Sequence, residues 1–73
     1  MATRLATKKE MAGWGVVFPG YPVQRGVALV EDKWRKNVLA RAKAAGFVGK
    51  PLPGVGHDYN YHGALYRFTK EEA

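Results

Sequence analysis

The chain contains no cysteine, so no disulfide staples it and no thiolate serves as a nucleophile or metal ligand. Small secreted domains usually depend on such staples, and their absence points to a reducing, cytoplasmic setting. Serine is absent as well. The remaining hydroxyls of the threonine type, Thr3, Thr7 and Thr69, lie near the ends of the chain, which leaves little for a hydroxyl-based hydrolase to be built on. No apolar run approaches the roughly 20 residues that span a bilayer. Charges at Arg4, Lys8, Lys9 and Glu10 break up Met1–Met11, so a signal-peptide core is not expected there. Phosphate-cradle motifs are incomplete too. Gly13-Trp14-Gly15 is not extended into G-x-G-x-x-G, and Gly49-Lys50 is followed by Pro51 rather than Ser or Thr.

What is present is a small core and a surplus of positive charge. With 73 residues, 47% of them hydrophobic and 12% aromatic, the chain fits one folded domain rather than two or a polar tail. Its formal charge of +6 is concentrated in residues 31–50, where Lys33, Arg35, Lys36, Arg41, Lys43 and Lys50 stand against Glu31 and Asp32 alone. Such a field draws anionic partners: nucleic acid, acidic protein faces or anionic lipid.

Residues 1–10 show no apolar period and are expected as a flexible N-terminal arm, 11–69 as a single domain and 70–73 as a polar tail. Trp14–Phe18 reads as a strand, closed by Pro19-Gly20, and Pro19–Gly26 as a loop. Val27–Val30 fits either a buried strand or a helical turn. From Trp34 at about 100° per residue, Trp34, Ala45, Val38, Ala42 and Leu39 fall on one arc, opposite Lys33, Lys36 and Lys43. That pattern predicts an amphipathic helix over Asp32–Ala45, with Glu31 and Asp32 at its start, Lys43 in its last turn and Gly46 as a left-handed terminator that lets Phe47 fold back on Ala42. The two prolines and two glycines of Gly49–Gly54 predict a rigid linker. Val55–Tyr61 and Ala64–Phe68 read as strands about a turn at His62-Gly63, with Ala64, Tyr66 and Phe68 sharing one face and Leu65 and Arg67 the other. The expected fold is α+β, one helix packed on a short antiparallel sheet.

Two constellations carry candidate chemistry. His57, Asp58 and His62 contain ligand-type side chains, but a fourth ligand is not nearby and exposed turn residues account for them equally well; neither a metal nor a cofactor is expected, nor is catalysis. Lys33, Arg35, Lys36, Arg41 and Lys43 form the main candidate contact surface, with Asn37 as the sole base-reading type among the lysines. Tyr59 and Tyr61 join it as aromatic contacts if they lie open to a partner rather than in the core.

In size, charge and layout, from Met1-Ala2-Thr3 through the Trp14–Phe18 segment, the basic helix Asp32–Ala45 and the Tyr59–Phe68 hairpin to Lys70-Glu71-Glu72-Ala73, the chain resembles the small RNA-polymerase-binding transcription regulators of lytic Xanthomonas phages. The resemblance implies a non-catalytic protein in the bacterial host cytoplasm, and a monomer is expected. It implies binding to host RNA polymerase near the N-terminus of the beta-prime subunit, inhibition of initiation by displacing the sigma factor, and antitermination. The alternative expectation is a small basic nucleic-acid-binding module that uses the lysine face of the helix.

Overall fold

The structure, a computed structural model, describes residues 2–20, 24–52 and 62–72. In chain order the elements are β1 (Ala2–Leu5), α1 (Lys8–Gly13), β2 (Phe18–Pro19), β3 (Val27–Glu31), a 3-10 turn (Asp32–Trp34), α2 (Arg35–Ala44), β4 (Val48–Pro51) and β5 (Gly63–Glu72). The α+β expectation holds, with a second helix and a five-stranded antiparallel sheet among the described residues.

β5 is the strand on which the sheet is assembled. β3 pairs with its first half, Val27 opposite Arg67, and β1 with its second half, Leu5 opposite Thr69. β4 pairs with its middle, Val48 opposite Thr69 and Lys50 opposite Arg67. Since Arg67 faces both Val27 and Lys50, and Thr69 faces both Leu5 and Val48, β4 holds one edge of β5 while β1 and β3 share the other end to end. The joint falls at Phe68, whose N–H donates to the Gly26 carbonyl (2.7 Å) and whose carbonyl accepts from the Ala6 N–H (3.1 Å). β2 lies outside β3, with Phe18 opposite Leu29.

Strand alternation sorts the side chains. Ala28 and Val30 of β3 and Tyr66 and Phe68 of β5 join Met11, Trp14, Val16, Val38, Ala42 and Phe47 in the main core. Val27, Leu29 and Leu65 point the other way and form a second buried cluster against Leu52. The two faces of β5 are therefore those that its alternation predicts. Trp14 anchors the main core, its ring 5.2 Å from Phe47 and 5.0 Å from Phe68 between centroids.

Residues 2–10 are not an arm. Thr7-Lys8-Lys9-Glu10 is a capping box, in which the Glu10 N–H donates to Thr7 Oγ1 (3.1 Å) and the Thr7 N–H to Glu10 Oε1 (3.0 Å). The same carboxylate takes a forked pair of bonds from Arg4, at 2.8 and 3.0 Å, tying β1 to α1. Arg4 and the local N–H donors hold the Glu10 carboxyl down at about pKa 2. At the other terminus, residues 70–72 of the expected tail are the end of β5.

Three further boundaries move. Trp14 caps the end of α1, so the strand expected over Trp14–Phe18 shrinks to Phe18–Pro19. Val27–Val30 resolves as strand. The helix expected from Asp32 opens with the 3-10 turn and is α-helical only from Arg35; Val38 and Ala42 are buried, but Trp34 remains 47% exposed. A 3-10 turn advances each residue by about 120°, so a projection at α-helical pitch misplaces Trp34. The C-terminus of α2 ends as its sequence indicates. Gly46 adopts φ +89°, its N–H donates to Lys43 O (2.9 Å), and the Phe47 N–H reaches Ala42 O (2.8 Å), a Schellman closure. Gly49–Pro51, expected as the start of a linker, belong instead to the edge strand Val48–Pro51, a position that tolerates Pro51. The first strand of the expected hairpin, Val55–Tyr61, lies outside the described residues.

Candidate binding surface on helix α2

The short α2 helix buries a narrow stripe, Val38 and Ala42 with Leu39 beside them, and the rest of its circumference faces outward. Lys33, Arg35, Lys36, Arg41 and Lys43 are all exposed. Among the described residues none of the five forms an ion pair; the recorded pair is Arg4 with Glu10, remote in sequence from α2. Five unneutralised cations within eleven residues repel one another, and an anionic partner relieves that repulsion. The structure thus brings these five together on one short segment. Tyr59 and Tyr61 fall outside the described residues.

Helix α2 also forms one wall of a groove of about 430 Å³. Glu31, Trp34, Asn37, Val38 and Arg41 line that side, and Trp14, Gly15 and Val17 line the other. The second wall exists because α1 stops at Trp14 and Gly15 turns the chain at φ +87°, a conformation that suits glycine. Arg41 reaches across: a Cβ at Gly15 would lie 3.9 Å from its Nη1. The Lys33 ammonium sits 5.8 Å from the Trp34 ring centroid, within cation–π range. Trp34 was expected on the buried arc of the helix; its exposed indole is a candidate site residue that the sequence did not indicate, because the acidic start at Glu31 and Asp32 suits an α-helix as well as the 3-10 turn found there.

Cations also stand elsewhere. Arg4 and Lys70 are directly opposite in register, and both lie over the Phe47 ring, at 4.9 and 5.8 Å. Lys50 and Arg67 are opposite one another on the face away from α2, both exposed.

His62 is exposed at φ +50° in the turn before β5, where its carbonyl accepts from the Asp32 N–H (2.9 Å). His57 and Asp58 lie outside the described residues, and among the described residues no three His, Cys, Asp or Glu side chains are grouped to hold a metal ion. Among the same residues, no helix is long and apolar enough to cross a membrane. In comparisons with known proteins, no family model, curated protein or solved structure matches the chain.

Proposed function

We propose that this protein is a non-catalytic regulator that docks the basic face of α2 on an anionic macromolecular surface. The observation that carries this reading is the set of five exposed cations, Lys33, Arg35, Lys36, Arg41 and Lys43, without an ion-pair partner among the described residues. The target is proposed from the resemblance in layout: host bacterial RNA polymerase, in the N-terminal region of beta-prime, with sigma displacement at initiation and antitermination during elongation as the consequences. A compact docking face suffices for such a role, because a few Arg and aromatic side chains concentrate interface energy.

The test is direct binding to purified bacterial core polymerase, followed by competition with sigma. The expected result is a salt-sensitive complex that excludes sigma and is lost when Lys33, Lys36 and Lys43 are replaced by Glu. Absence of a complex at low salt removes polymerase as the target. A second reading, binding of nucleic acid through the same face, is favoured by Trp34, whose ring stands 47% exposed beside Lys33. Salt-sensitive retention of oligonucleotides by the free protein is its signature.

A further inference from the structure

From the groove beside α2 we infer a stacking site for one unpaired base of a single-stranded nucleic acid, with Trp34 as the platform. The inference rests on the nucleic-acid reading of the basic face and adds what that reading lacks, a place for the base.

The groove supplies the parts that such a ligand needs. A half-exposed indole offers a flat apolar surface that any base can stack on. Arg41 lines it and the Lys33 ammonium stands over the Trp34 ring, which supplies positive charge for the flanking phosphates. Asn37 offers both a donor and an acceptor, and Glu31 offers a carboxylate, at the same groove. A base edge presents donors and acceptors together, which matches this mixed lining. An acidic peptide, the other occupant that the cations would attract, brings carboxylates toward Glu31 and has no use for it. The carboxylate also implies a preference: cytosine, adenine and guanine bring it an exocyclic amino group, while thymine and uracil have only the ring N3–H to donate. The floor is fixed in advance, since Trp14 and Val38 are buried and Trp14 is held between Phe47 and Phe68.

The test is fluorescence anisotropy of labelled oligo(dC) and oligo(dT) titrated with the full chain over a range of salt. Trp34→Ala is expected to weaken oligo(dC) binding by roughly 5- to 150-fold and to leave the slope of affinity against salt unchanged, because the phosphate contacts remain. Trp34→Phe is expected to restore most of the loss. Glu31→Gln is expected to narrow the preference for oligo(dC) over oligo(dT), and Lys36→Glu to flatten the salt slope while keeping that preference. The exposed position of Trp34 keeps these variants folded, which circular dichroism checks. Equal binding by wild type and Trp34→Ala overturns the stacking site and leaves the basic-face reading standing. No salt-sensitive binding of either oligonucleotide overturns both. Displacement of oligo(dC) by oligoglutamate at equal charge concentration overturns the base site in favour of an acidic protein partner.

Discussion

The two tryptophans show how far local geometry separates side chains of one type. Trp14 is 7% exposed and packed on two phenylalanines, whereas Trp34 is 47% exposed on a 3-10 turn. Thermal unfolding should therefore divide them: Trp14→Ala loses about 3–5 kcal/mol, enough to unfold much of so small a domain, while Trp34→Ala stays within about 0.5 kcal/mol of wild type. Gly49 is a third residue whose role is spatial. It lies opposite Phe68 in register, and an added Cβ would come within 2.6 Å of both Phe68 Cε1 and Leu39 Cδ2. Gly49→Ala should push α2 away from the sheet and cost about 1–3 kcal/mol, read as a drop in Tm. Glu10 gives a pH signature. Its pKa, lowered in the fold from 4.5 to about 2 by Arg4 and Thr7, means that its stabilisation is complete above the unfolded value and is lost as pH falls through about 2. The pair is partly solvated, so the effect is expected near the 0.2–1 kcal/mol of surface pairs; Glu10→Gln should remove that part of the acid limb of a stability–pH curve.

At the level of elements, the sequence was most readable where the chemistry is local. Gly46 and Phe47 announced the end of α2, and the alternation of Ala64 through Phe68 announced the two faces of β5. Partnerships between distant segments were not readable in the same way. Nothing in Ala2–Leu5 indicates a strand, because its place is created by the vacant second half of a β5 edge that β3 covers only as far as Arg67. The Thr7–Glu10 capping box was legible, and it alone would have ended the notion of a loose arm; it also displaced the strand once expected at Trp14. The candidate surface was partly legible: the cations of α2 follow from composition and spacing, while the groove depends on the turn at Gly15 meeting α2 across the molecule. Hydrogen exchange tests the N-terminal strand. The Ala6 amide, bonded to Phe68 O, should be protected like the amides of β3, and deleting residues 2–5 should lower Tm; exchange at the rate of a free chain would place this segment outside the fold.

For the whole molecule, charge and shape bear on different things. A net charge of +6 accelerates encounter with any polyanion regardless of where the cations stand, but docking requires them on one face. Lys50 and Arg67, opposite one another on the far side of the sheet, make the two contributions separable. Lys36→Glu with Lys43→Glu and Lys50→Glu with Arg67→Glu change the net charge equally, the first pair on α2 and the second away from it. The most direct test is to measure the affinity of both double variants for purified core polymerase and for a single-stranded oligonucleotide at moderate salt. Docking through α2 predicts that the Lys36/Lys43 variant loses its partner while the Lys50/Arg67 variant keeps most of the wild-type affinity. Equal losses in the two variants, or wild-type binding by the Lys36/Lys43 variant, would contradict it.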